Sequence, residues 1–236
     1  MGGMSRTRLI LERQWLHALL LGVLLAGAGL ASGLDGVRTG HLWGVPTPVW
    51  FRLAIASAVA HQVYVWFCWR TQLHASLFTR VLGRAGFPVY AAGFAALGVA
   101  RVVLVFCLAS SNRDSLAVNF FVLRTFAVIA AIPAAYLAYS VMRYFGFRRA
   151  FGIDHFDADY RSLPFVRTGI FRLTRNGMYV YGFLLLWVPA LWFASSAALV
   201  AALFSHLYIW VHYYSTELPD IKRIYGKGIE GSRCKV

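Results

Sequence analysis

Arg167-Thr-Gly-Ile-Phe-Arg-Leu-Thr-Arg-Asn-Gly-Met-Tyr179 opens onto an apolar run, 180–208, which is followed by Trp210-Val-His-Tyr-Tyr-Ser-Thr-Glu-Leu-Pro-Asp220 and Ile-Lys-Arg-Ile-Tyr-Gly226. Phe193-Ala-Ser-Ser196 breaks the run near its middle, so it reads as a helical hairpin. If both arms cross a bilayer, the basic opening and the acidic close return to the same face. Residues far apart in the chain then meet in one site.

Working outward, the composition sets the environment. Only 14% of the 236 residues are charged and 59% are hydrophobic, against about 25% charged in ordinary soluble domains. Apolar runs at 16–34, 50–69, 87–108, 120–144, 178–193 and 197–214 predict six spans. The first follows Arg6, Arg8 and Arg13 and is long enough to be a signal anchor rather than a cleaved leader. Gly29 and Gly33 in it have the small-residue spacing that lets helices approach closely. Pro133, inside the fourth, should kink that helix or be satisfied by a neighbour.

A net charge of +14 in a soluble protein would suggest nucleic acid. Here 18 of the 23 Lys and Arg fall in four segments that alternate with basic-poor ones, so the charge reads as membrane orientation and no nucleic-acid partner is expected. The alternation predicts six spans with both termini in the cytoplasm, as in a bacterial inner membrane or its equivalent. The expected fold is all-α, a polytopic membrane helical bundle of about six spans with a C-terminal helical hairpin and a short cytoplasmic tail. It reads as a single membrane domain, 1–236, with a four-span bundle at 1–145, a cytoplasmic loop at 146–177, and the hairpin and tail at 178–226. No feature of the sequence specifies an oligomeric state.

Chemistry-bearing residues concentrate at the two ends of the hairpin. Glu217 and Asp220 share a helix face if the helix continues, and Pro219 permits this if it starts a new short helix. Tyr213, four residues before Glu217, shares that face, with His212 beside it. The facing segment supplies Arg172, Arg175, Asn176 and Tyr179, and Gly169 and Gly177 allow close backbone approach. A bland reading competes: Arg175 and Glu217 as an ion pair locking the hairpin, with Tyr179 and Tyr213 in the interfacial aromatic belt.

Other features carry less. Asp154, Asp157 and Asp159 lie beside His155 but lack the turn glycine and terminal glutamate of a calcium loop. They are expected to be solvated and paired with Arg148, Arg149 and Arg161, and no metal site is predicted. Arg52 and Arg124 lie near the outer ends of spans and can snorkel. Arg101 is deeper, with no acidic residue in the first five spans to meet it, so a lipid phosphate or backbone carbonyls are its expected partners. His17, His61 and His206 are expected to be packed core residues. Cys68, Cys107 and Cys234 have no ligand or disulfide spacing and read as ordinary thiols.

The two ends of the hairpin resemble the membrane-embedded methyltransferase superfamily that includes isoprenylcysteine carboxyl methyltransferases and phospholipid N-methyltransferases. In that superfamily a Gly-x-Tyr-x-x-x-Arg-(His/Asn)-Pro-x-Tyr element precedes a helical hairpin, and a Glu-x-x-(Asp/Glu) element with a following Tyr/Phe-Gly comes after it. Here the first reads Gly169-Ile-Phe-Arg-Leu-Thr-Arg-Asn-Gly-Met-Tyr179, and the second Glu217-Leu-Pro-Asp220 with Tyr225-Gly226. Gly177 stands where the superfamily has proline, and Phe171 where it has tyrosine.

The resemblance implies S-adenosylmethionine as methyl donor, bound at the cytoplasmic side by the hairpin and tail. It implies cofactor contacts from Gly169, Phe171, Arg175, Asn176, Tyr179, Gly182, His212, Tyr213, Glu217 and Asp220, with Arg175, Tyr179 and Glu217 as the catalytic set. The implied acceptor is a membrane-dissolved or amphiphilic molecule: a lipid amine, an isoprenoid carboxylate or a thiol. Membrane sterol and steroid reductases, which use NADPH, resemble the same carboxy-terminal pattern and are the alternative enzyme class. A non-catalytic membrane relative is the other alternative.

Overall fold

Long stretches without a charged residue leave the backbone no partner but itself. In the computed structural model, which describes residues 5–174 and 176–226, the chain is accordingly helical almost throughout. A short α1 (Arg6–Ile10) leads into α2 (Gln14–Ala31), then α3 (Asp35–Arg38) and a two-residue hairpin of β1 (His41–Leu42) and β2 (Val45–Pro46). The long α4 (Thr47–Ala75) follows, then α5 (Leu77–Leu82), α6 (Gly86–Ser111) and α7 (Phe120–Ser140). A π-helical turn, Val141–Phe145, ends α7 and α8 (Phe147–Ala150) opens the loop. The hairpin is α9 (Gly177–Val180), α10 (Leu184–Trp192) and α11 (Ser196–His212); a second π turn, Tyr213–Glu217, joins it to α12 (Leu218–Tyr225).

Five helical stretches are long and apolar enough to cross a membrane, and the expected fifth span is the exception. Gly177–Trp192 is apolar but short. Sixteen residues at 1.5 Å each reach only about 24 Å, less than the ~30 Å hydrocarbon core. The helix also breaks between α9 and α10, at Gly182. A Cβ there would lie 2.4 Å from the Met178 carbonyl oxygen and 3.1 Å from Leu137, so the chain presses against α7 where only glycine fits. The segment still joins the two ends of the bundle, because the Phe193 and Ala194 carbonyls accept from the Asp114 and Leu116 N–H groups at 2.9 and 3.0 Å.

Small residues bring the helices together. α11 buries Ala197, Ala198, Ala201, Ala202 and Ser205 against a core that includes Ala54 and Ala58 of α4. α11 touches α2, α4, α6 and α10, α4 packs along α6, and α10 lies against α7 and α6. In lipid this is the expected arrangement, since packing and interhelical hydrogen bonds replace the hydrophobic drive between helices. The outer surface carries Leu19, Leu30, Val99, Phe121 and Ile132, all exposed and apolar. Pro133 lies inside α7, which continues through it to Ser140. Cys68 and Cys107 are buried free thiols; Cys234 lies outside the described residues.

One end of the bundle is clamped by Asn112. Its amide donates to the Gly36 and Thr39 carbonyls at 2.9 and 2.8 Å. Its side-chain oxygen accepts from Ser115, Ser195 and the Ala197 N–H at 2.8, 2.9 and 2.9 Å. All four segments rich in arginine and lysine meet at the other end: Arg13 and Arg70 contact the 214–216 carbonyls, and the 146–177 loop and α12 pack there. Replacing Asn112 by alanine orphans several buried partners at once and should cost about 2–4 kcal/mol, read as a lowered unfolding temperature of the purified protein in detergent.

Candidate active site

The two halves of the hairpin motif meet. The Tyr179 hydroxyl, at the end of α9, donates to the Glu217 carboxylate, which closes the π turn after α11. A π turn adds a residue to the helical repeat and re-aims the side chains beyond it. Tyr213 and Glu217 consequently both reach Tyr179: the Tyr213 ring centroid is 5.7 Å from that of Tyr179, and Trp210 is 6.0 Å away. The result is a carboxylate set among aromatic rings, with Glu217 half-buried.

Beside this pair lies a cavity of about 250 Å³. Tyr179, Gly182 and His212 line it, and the far wall is made of His61, Gln62 and Arg101. His212 is 1% exposed and neither of its ring nitrogens has a partner among the described residues. Arg101 donates to the Ser205 carbonyl at 3.4 Å and lies 4.9 Å from the Phe183 ring centroid. Of the partners expected for it, a backbone carbonyl is the one found.

The other sequence-derived residues fall elsewhere. Arg175 lies outside the described residues. Asn176 starts α9, its carbonyl accepting from the Tyr179 and Val180 N–H groups at 2.9 and 3.0 Å. Phe171 is buried and stacked on Phe145 at 4.9 Å, not among the residues lining the cavity. Gly169 has φ +61°, and a Cβ on it would strike Ser140 and Tyr144 at 2.6 and 2.9 Å. Gly169 and Phe171 therefore set the loop against α7 rather than touching the cavity. Arg172 is exposed.

Asp220 requires a correction. Pro219 does start a new helix, α12, but the expected common face of Glu217 and Asp220 is split. Glu217 turns to Tyr179, while Asp220 is fully buried and its carboxylate meets Arg70 Nε at 2.9 Å. That guanidinium is itself fully buried, and it also donates to the Leu9 and Thr216 carbonyls at 2.6 and 3.0 Å. Arg223 and Glu12 close the cluster. The Asp220 carboxylate is thus committed to Arg70 and not turned toward Tyr179.

One of the loop acids, Asp154, is also placed differently from the expectation. Asp154 is not paired with the loop arginine side chains by its carboxylate. It accepts instead from the Tyr225 hydroxyl at 2.8 Å and pairs with His155 Nδ1 at 3.1 Å, while Arg161 reaches its main-chain carbonyl at 2.9 Å. His155 Nε2 faces Asp220 at 3.6 Å, and its ring stacks on Trp69 at 4.2 Å. Gly152 makes this docking possible: it has φ +78°, and a Cβ would lie 2.5 Å from the Trp69 ring. The Gly152–His155 part of the loop is thus tied to the bundle, while Asp159 stays exposed. Sequence reasoning passed over Arg70 and His155, since an arginine at a span boundary reads as a topology marker and a histidine among loop acids as solvated.

Burial opposes the charged form of His155, but its hydrogen bond to Asp154 and the Asp220 carboxylate facing it outweigh this and hold its pKa near 9. Asp154 is burdened by burial too, and the bonds from His155 and Tyr225 bring its pKa below the usual value.

Residues 122–228 match the family model for phospholipid methyltransferase. This match, over a little under half of the chain, is consistent with the membrane methyltransferase superfamily that the hairpin motifs resemble. The match supports a membrane methyltransferase. No curated protein and no solved structure matches the chain.

Two expectations follow from the buried cluster. Asp220→Asn removes the closer and fully buried of the two carboxylates that face Arg70 and should destabilise the protein by about 3–5 kcal/mol, measured by thermal unfolding. His155 has a raised pKa, so its stabilising charge is fully present below about pH 6.5 and is lost as the pH passes about 9. Unfolding temperatures should fall between pH 7 and pH 10, and His155→Gln should flatten that part of the curve; parallel curves for the two proteins would refute the assignment.

Proposed function

We propose that the protein transfers a methyl group from S-adenosylmethionine to an amphiphilic acceptor at the cytoplasmic face of a membrane. The observation that carries this reading is the Tyr179–Glu217 hydrogen bond. It joins the two family motifs across 38 residues of chain, and Tyr179 lines a cavity in a bundle of apolar helices while Glu217 lies behind it. The matched family supports a lipid substrate. The gathering of the four basic segments at this end of the bundle supports the cytoplasmic side.

The residues suit the donor. Glu217 offers carboxyl oxygens to an ammonium or a ribose hydroxyl, and Tyr179, Tyr213 and Trp210 offer ring faces to a sulfonium. Arg175, supplied by the sequence motif, would meet the donor's carboxylate. His212, buried beside them with free ring nitrogens, would take a hydrogen bond from or give one to the bound molecules. When bound, S-adenosylmethionine supplies a methyl group activated by a positive sulfur and displaced in line.

The protein's own work is then positional. Tyr179 holds the Glu217 carboxylate in one orientation, and the break at Gly182 lets the polypeptide pass close to α7 while opening the cavity beside it. Holding nucleophile and methyl in line contributes several kcal/mol to lowering the barrier, at most about 7–11.

Incubating the purified protein with methyl-labelled donor and a total lipid extract should give a labelled lipid product. Glu217→Gln removes a charged partner worth about 1.5–3 kcal/mol, so donor affinity should fall roughly 10–100-fold by calorimetry; Tyr179→Phe should fall less. Tight NADPH binding with no S-adenosylmethionine binding would sink the proposal in favour of the reductase class.

A further inference from the structure

The far wall of the cavity is not explained by donor binding. Arg101 is 4% exposed, and its Nε has no partner among the described residues. Its hydrogen bond to the Ser205 carbonyl is long, 3.4 Å, and the rest of its support is the Phe183 ring. No carboxylate among the described residues pairs with it. His61 lines the same cavity, packed edge-on to Phe94 at 4.8 Å, with both ring nitrogens unpartnered. A buried guanidinium with no anion is strongly unfavourable, and polar groups left open on a cavity wall face whatever fills it.

Size and spacing bear on what that is. The cavity, about 250 Å³, is more than ten times the ~10–15 Å³ that one water needs. Val65, Val102, Leu185 and Ile209 give it apolar walls. Arg101, Phe183 and Tyr179 all line this one cavity. A space of about 250 Å³ keeps an anion held by Arg101 within a few bonds of an atom placed beside Tyr179.

We propose that Arg101, backed by His61, recognises the anionic group of the methyl acceptor. The acceptor is then an amphiphile whose head carries a phosphate or carboxylate a few bonds from the methyl-accepting atom, with its chain along the apolar wall. The proposal rests on the methyl-transfer reading for the word acceptor, but its recognition chemistry stands on α4 and α6. Both helices lie outside the matched residues 122–228.

The test uses the full chain in an uncharged glycoside detergent, with four probes of equal chain length: dodecyl phosphate, dodecanoate, dodecanol and dodecyltrimethylammonium. Binding is read by calorimetry and by thermal shift, without methyl donor. At least one of the anions should bind tenfold or more tighter than the alcohol, the cation should not bind, and the stronger anion identifies the head. Arg101→Gln should abolish the preference, and Arg101→Lys, which keeps the charge without the planar fork, should retain part of it. Equal binding of all four heads by the wild-type protein overturns the proposal, and so does an undiminished preference in folded Arg101→Gln. If Arg101→Gln does not fold, the wild-type comparison and Arg101→Lys decide alone. S-adenosylmethionine affinity is measured in parallel. Anion preference without donor binding defeats the methyltransferase reading and leaves the anion site, whereas donor binding without anion preference defeats only the Arg101 assignment.

Discussion

A guanidinium buried where it has no water must find all its partners in the protein, and Arg70 finds them on three different segments. It takes the Leu9 carbonyl from the amino-terminal segment, the Thr216 carbonyl from the π turn and the Asp220 carboxylate from α12. Each of these groups has its own need. The 214–216 carbonyls are left over where α11 stops being a regular helix, and cations or amides must satisfy them. Arg13, Gln14 and Arg70 do so. The charge pair at the centre contributes little net stability by itself; its effect is that no partner can be withdrawn without orphaning the others. That constraint fixes where the π turn ends, and so where Glu217 points.

The loop is the second layer of the same constraint. His155 stacks on Trp69 and faces Asp220, while Asp154 holds Tyr225. Phe156 and Phe151 pack on Tyr90 and Phe94 of α6. A segment rich in charge is thereby bound to the basic end of the bundle and closes over it. Beneath it, the small-residue faces of α11 and α4 let helices approach, and the short, broken α9–α10 arm leaves room beside them. The cavity exists because one arm of the hairpin is too short and irregular to fill the space that a straight helix would occupy.

Much of this architecture is legible from the residues. Apolar runs, basic alternation and the two motifs around the hairpin yield an all-helical membrane bundle and bring Tyr179 and Glu217 to one place. What is less legible falls where one residue type serves two physical ends. Asp220 stands in a motif beside Glu217, yet a spacing of three residues leaves the two side chains about 60° apart on a helix, enough for different partners. Arg70 counts toward topology wherever it sits near a boundary, and nothing local says that it is buried. Gly182 looks like an ordinary small residue in an apolar run until Met178 and Leu137 are seen against it.

The sequence by itself determined the environment, the helical class and the chemistry available at the hairpin ends, because hydropathy, charge placement and short motifs act locally along the chain. Only the tertiary structure decided which charges are spent on holding the protein together and which face a cavity. Arg70 with Asp220, and Arg101 with no acid, are both arginines within long apolar helices, and their difference lies entirely in what other segments bring to them. Pairing in a low-dielectric interior depends on a few ångströms of separation between residues remote in the chain, and no local pattern encodes that distance.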